Sequence, residues 1–195
     1  MKRMNLIRTS LRTGLIAALL FLHANSSFAQ STDSQVDVKE LCKQVLCRTP
    51  NFKLRLDNQD VFESDVETPL PVLVNNKLIS VFPGETVFIE ASVTGKEIKL
   101  ERAVAINEHP ERTLVFKFTQ VDKQKDMMLE VSNPFPEVIK FKMGFMKVDS
   151  SKIYGTTSCP VPEKLSLLEH WPHPIFQILL TQAKILDKRD KRICN

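Results

Sequence analysis

Glycine is scarce in this chain of 195 residues, with five in all, and Gly84, Gly95, Gly144 and Gly155 are the four beyond residue 29. They stand far apart, so no glycine-rich loop can turn several backbone N–H groups toward a phosphate, and nucleotide cradles are excluded. Tryptophan and tyrosine occur once each, as Trp171 and Tyr154, which leaves few flat rings for stacking a sugar. Only His109, His170 and His173 follow the first 29 residues, and no Gly-X-Ser-X-Gly elbow accompanies them. An activated serine beside a base is therefore not spelled out, and Ser158, next to Cys159, has nothing nearby to activate it.

Long apolar runs are missing too. The apolar stretch Leu15 to Leu22 is too short for a bilayer, which takes about 20 residues, and it follows Lys2, Arg3, Arg8 and Arg12. With Ser27-Phe28-Ala29 behind it, this is the pattern of a cleaved export signal spanning residues 1–29. The mature chain then has 166 residues, enough for one domain that buries roughly 70% of its unfolded surface. No cysteine stands at the cleavage point, so no lipid anchor is expected and the product is read as soluble, in periplasm or medium. Asn25-Ser26-Ser27 in the leader is the one Asn-X-Ser/Thr acceptor, which fits a bacterial source.

An excess of charge of one sign is likewise absent from the mature chain. The whole sequence has 27 basic and 23 acidic residues, and the leader takes four of the cations and no acid. A polyanion needs a surplus or a clustered basic face, and the dense run Lys184 to Arg192 is interrupted by Asp187 and Asp190. Nucleic acid is excluded as a partner, and no cofactor is expected.

Cys42, Cys47, Cys159 and Cys194 form an even set in an exported chain, which favours two disulfides over metal thiolates. Three connectivities exist. The first choice is Cys42 with Cys47 and Cys159 with Cys194, although a helix unbroken from Val38 to Cys47 would turn its two cysteines to different faces and favour long-range pairs.

What is abundant is alternation. Residues 30–50 begin polar and then carry Val38, Leu41, Cys42 and Val45 at helical spacing, closed by Pro50, which predicts a short N-terminal helix. From Asn51 the period becomes two: Phe52, Leu54 and Leu56 alternate with Lys53, Arg55 and Asp57. The pattern recurs in Val72–Val74, Leu78–Val81, Val87–Val93, Ile98–Val104, Leu114–Phe118, Met127–Val131 and Ile139–Met143. Asn75-Asn76, Pro83-Gly84 and Thr94-Gly95-Lys96 supply turns between them. About eight short strands between Asn51 and Val148, with no room for helical crossovers, predict an antiparallel immunoglobulin-like β-sandwich over residues 51–187. Pro172 and Pro174 bar Glu169 to Pro174 from a helix interior or a central strand, Ile175 to Leu180 reads as a buried strand, and residues 188–195 form a polar tail tied by Cys194.

The chemistry-bearing candidates are few. His170 and His173, spaced His-X-X-His beside Glu169, with His109 from a distant turn, are the candidate metal ligands, since imidazole holds divalent transition metals well. The prolines deny them a shared helical face. Glu63 with Asp65 and Glu85 with Glu90 are carboxylate pairs with the plain alternative of a solvated face. Ten phenylalanines and Met127, Met128, Met143 and Met146 follow the leader, suited to a sandwich core or an apolar cavity. Phe135, between Pro134 and Pro136, is the aromatic expected to be exposed, and with Trp171 it is a candidate binding residue. The stretch from Leu129 to Pro136 resembles the strand-end Asn-Pro-aromatic turns of small exported immunoglobulin-like domains, pilus chaperones among them. A chaperone of that kind would carry a second domain, for which this length leaves no room, so no family is assigned.

These observations favour a non-catalytic binding module of the cell envelope, contacting another envelope protein through a sheet edge or the loops around Phe135 and Trp171. The alternatives are a small metal-dependent enzyme using His170 and His173, or an apolar-ligand carrier. If the leader is cut after Ala29 and both bridges form, intact mass spectrometry will give Gln30–Asn195, gaining about four hydrogens on reduction. A reduced mass equal to the native one would mean free thiols.

Overall fold

A computed structural model describes residues 37–56, 60–64, 66–187, 189–190 and 192–194. The leader expected over residues 1–29 and the polar stretch to Val36 lie outside the described residues, as do Asp57 and Asp65 and three positions of the tail.

Helix α1 is short, Val38–Leu41, and Asp37 caps it by accepting the Lys39 N–H at 2.9 Å. The expected helix does not continue to Cys47, because the chain turns after Leu41 and enters strand β1 (Cys47–Arg48). Five residues of helix would rise about 7.5 Å and rotate the second cysteine away from the first. Breaking the helix lets Cys42 bond Cys47, with Cα atoms 5.5 Å apart.

The remaining strands are β2 (Lys53–Arg55), β3 (Val61–Glu63), β4 (Leu70–Pro71), β5 (Leu73–Val74), β6 (Leu78–Val81), β7 (Thr86–Thr94), β8 (Glu97–Val104), β9 (Thr113–Gln120), β10 (Met127–Ser132), β11 (Ile139–Met146), β12 (Ile153–Thr156), β13 (Ser166–Trp171) and β14 (Gln177–Ile185). One five-stranded sheet runs β13-β10-β9-β7-β8 and the other β12-β11-β14-β6-β5; β1 pairs with β4 and β2 with β3 in small satellites. Every pairing between these strands is antiparallel. The protein is an all-β sandwich, as alternation predicts.

Turn chemistry sets the hairpins. Asn75 and Asn76 adopt φ of 49° and 54°, and Lys77 N–H closes the turn on the Val74 carbonyl at 3.0 Å. Asparagine tolerates this left-handed backbone, which matches the twist of the flanking strands. Gly84 and Gly95 take positive φ in the next two turns.

Alternate residues of both sheets fill the core. Ile79, Ile178 and Leu180 come from one sheet, and Ile89, Leu114, Phe116, Phe118 and Leu129 from the other, all fully buried. Phe116 meets Phe141 edge-on across the sheets, with ring centroids 5.5 Å apart. Seven of the ten phenylalanines, with Met127 and Met143, are buried in this core, whereas Phe88, Met128 and Met146 are only partly covered.

The strand count exceeds the sequence expectation. Short strands β3 and β4 join the eight between residues 51 and 148, and β12 forms just before the segment that holds Cys159, Pro160 and Pro162. Ser166–Trp171 is a strand as well, but an edge one, which Pro172 at its end permits. Of the run Ile175 to Leu180, expected as a buried strand, only Gln177 onward lies in the central β14 (Gln177–Ile185); Ile175 and Phe176 precede it, Ile175 still fully buried. Both bridges take the first-choice pairing, and Cys159–Cys194 ties the tail. Phe118→Ala should lower unfolding stability by about 3–5 kcal/mol; a near-neutral result in denaturant titration would contradict its inward register.

Candidate interaction edge

Strand alternation separates the histidines. His170 points outward from β13, its Nε2 2.8 Å from the Asp126 carboxylate. His173 lies beyond the strand, its ring centroid 5.2 Å from that of Phe145 and its Nδ1 3.2 Å from the Pro174 carbonyl. His109 sits near Glu111 at the 3-10 turn Pro110–Arg112. Among the described residues, no group of three or more histidine, cysteine or carboxylate side chains is placed to hold a metal ion.

The paired acids have separate arginine or lysine partners. Glu85 accepts Arg48 at 2.9 and 3.2 Å, and Glu63 pairs with Lys53 at 2.6 Å. Glu90, buried on β7, receives Arg102 and Arg112. The Arg102 hydrogen bond holds the Glu90 carboxyl below its ordinary range against the opposing effect of burial, with the Arg102, Arg112 and His109 charges adding to the lowering.

Phe135 is buried, only 8% exposed, contrary to the expectation of an exposed turn aromatic. The cause is Asn133, also buried. Its Oδ1 accepts the Phe135 N–H at 3.0 Å, while its Nδ2 donates to the Glu137 and Pro162 carbonyls at 2.7 and 3.0 Å. This clamp folds the turn so that Phe135 joins the core. Trp171 is also buried; its Nε1 donates to Thr156 Oγ1 on the opposite sheet at 3.0 Å, and its ring meets Phe118 edge-on. Neither ring is a surface contact, but Trp171 anchors the end of β13.

A sandwich has four sheet edges, and each exposes backbone donors and acceptors able to pair with another chain. Here β8 is blunted: its register with β7 slips at Glu101, Asn76 Nδ2 donates to the Glu101 carbonyl at 3.0 Å, and Glu97, Lys99, Glu101 and Arg102 crowd the strand. Edge strand β5 has two residues. Edge strand β12 has four, one of them glycine, and Lys147 and Lys152 approach its Tyr154 ring.

Strand β13 differs. Its six residues pair with β10 in unbroken register, from Met127 opposite Trp171 to Ser132 opposite Ser166. It contains no proline or lysine, and Leu168 on it is 59% exposed, with Leu165 just before it at 61%. Comparison with known protein families, curated proteins and solved structures finds no match. The edge must therefore be judged on its own chemistry.

Its one acid is Glu169, half-buried on the inward-facing side of β13, where the carboxylate accepts the Cys159 N–H at 2.7 Å. Burial raises its carboxyl above the ordinary glutamate range, and the Cys159 N–H pulls it partly back. The sequence hid this edge because Leu167-Leu168 interrupts a clean alternation, while Pro172 marks where the strand must stop.

A carboxyl with a raised folded pKa binds its proton more tightly folded than unfolded, so its ionisation works against folding. That cost is absent below about pH 4.5 and grows as pH rises through the folded value. Glu169→Gln, whose amide oxygen can still accept the Cys159 N–H, should equal or exceed the wild type in stability at neutral pH, with the gap fading on acidification. Denaturant unfolding at both pH values checks this; a variant less stable at neutral pH contradicts it.

Proposed function

We propose that this chain is an exported, non-catalytic binding module of the cell envelope that docks an extended segment of another envelope protein along β13. The observation carrying this reading is the contrast between β13 and the three blunted edges. Strand addition draws affinity from main-chain hydrogen bonds and specificity from alternate side chains, and β13 offers both. Two disulfides fit an oxidising compartment outside the cytoplasm, and no described helix is long and apolar enough to cross a membrane. We also read the sandwich as immunoglobulin-like, supported by hairpins within each sheet and by crossings between sheets from β6 to β7, β10 to β11, β12 to β13 and β13 to β14.

A photo-crosslinking residue placed at 168, and separately at the exposed positions 106 and 153, tests this in the native envelope. The expected result is an adduct with one envelope protein from 168 and none from the other two. Equal labelling from all three, or none from 168, would overturn the reading.

A further inference from the structure

Any strand laid beside β13 meets two rows of side chains. Ser166, Leu168 and His170 form the outer row; Leu167, Glu169 and Trp171 form the inner row. The inner row contains a half-buried carboxylate with a backbone N–H as its partner, and among the described residues no cation pairs with it. On the outer side, Leu168 stands in register with Glu130 of β10, beyond which lies Lys117 of β9. His170 is already engaged by Asp126.

Cross-strand neighbours on one face come within about 4.5–5.5 Å at Cβ, where opposite charges stabilise and like charges oppose pairing. A partly desolvated carboxylate without a cation is costly, and a cation brought to it removes part of that cost. Among the described residues no strand pairs with the outer edge of β13, the last in its sheet, so Glu169 has a neighbour on the β10 side alone. Whatever docks there places one side chain against this carboxylate and its neighbour against Leu168.

We propose that the segment docked on β13 is an extended strand carrying lysine or arginine opposite Glu169 and an apolar residue at the adjacent position, against Leu168. This rests on the reading of β13 as the docking edge and adds the chemistry of the partner. The mature chain balances 23 basic against 23 acidic residues after the leader cations are removed, so a preference for a basic strand would arise locally rather than from net charge.

Three capped nonapeptides, alternating valine with lysine, threonine or glutamate, probe this on the mature protein with both disulfides intact. Titration calorimetry gives affinity, and amide exchange reports protection of residues 166–171. The lysine peptide is expected to bind at least about tenfold more tightly than the glutamate peptide, a difference of about 1.4 kcal/mol, and to slow exchange in β13. Glu169→Gln should bring the lysine and threonine peptides within about twofold of each other while threonine-peptide binding is kept; Glu130→Gln should leave the lysine preference in place. Equal affinities with β13 protected would overturn the charge assignment and leave the docking edge standing. A lysine preference that survives Glu169→Gln would overturn the role of Glu169. Failure of every peptide to protect β13, or a dimer that buries β13 of two copies, would overturn both readings. The wild-type comparison needs no variant, so it decides the charge preference even if Glu169→Gln folds poorly.

Discussion

The guanidinium of Arg48 is the interaction on which the rest of the molecule's geometry depends. It donates to both Glu85 carboxylate oxygens at 2.9 and 3.2 Å, to the Leu70 and Pro71 carbonyls at 3.0 and 2.8 Å, and to the Ser80 carbonyl and hydroxyl at 2.8 and 3.1 Å. It also lies over the Phe82 ring, 4.7 Å from the centroid. Only a planar fork with five donors reaches so many acceptors at once, so lysine is no substitute. Glu85 in turn accepts the Phe82 N–H at 2.8 Å, and its backbone carbonyl accepts the Phe118 N–H at 3.0 Å. One side chain thereby fixes the corner where the chain leaves β6 in one sheet for β7 in the other. A partly buried ion pair of this kind adds little net stability by itself, but loss of Glu85 would leave the guanidinium without a counter-charge, and loss of Arg48 would leave Glu85 without its cation and the Leu70, Pro71 and Ser80 carbonyls without this donor.

Around that corner the hydrophobic effect completes what the ion pair positions. Phe52, Phe82 and Phe176 meet with centroids 5.6–5.9 Å apart, and Phe62 of β3 joins them. The β2–β3 hairpin is held there by these rings and by the Gln120 amide, which accepts the Arg55 N–H and donates to the Arg55 carbonyl. β13 is fastened independently: Trp171 reaches Thr156, the Ser132 and Ser166 hydroxyls meet at 2.7 Å, and the Asn133 N–H donates to the Leu165 carbonyl at 3.0 Å. Held at both ends and open along its length, the strand would lose little conformational entropy on accepting a neighbour.

Period-two alternation made the long strands legible, because one face of each had to be buried. Asn75-Asn76 and the glycine turns were legible for the same local reason, a backbone that few other residues tolerate. What escaped depended on distant partners. Phe135 looked exposed because two prolines bracket it, yet Asn133 closes its own turn on the Glu137 carbonyl and reaches Pro162 on a distant segment, pulling the turn inward. The spacing of Val38, Leu41 and Val45 predicts a short helix, but it does not show that the helix ends at Leu41 and leaves Cys42 to bridge Cys47. β12 escaped because it is only four residues long and Gly155 interrupts its strand-forming Ile153, Tyr154 and Thr156, so its pairing with β11 supplies what so short a run does not. The edge at β13 could not be read at all from one strand's sequence, since being last in a sheet is a property of the order of all its neighbours.

That order bears on why an unblunted edge persists. Open edges invite aggregation, and bulges, charges and short length are the usual defences; β8, β12 and β5 carry them. On the reading of β13 as a docking edge, the same defences would block the partner. An inward-pointing charge offers a way out, because it acts on choice rather than on access. Glu169 would oppose an in-register parallel stack of β13 strands, where each copy meets the identical carboxylate, and would favour a strand that brings a cation. A single half-buried acid can thus discourage self-stacking and select its partner, while leaving the backbone donors and acceptors of the edge free to pair.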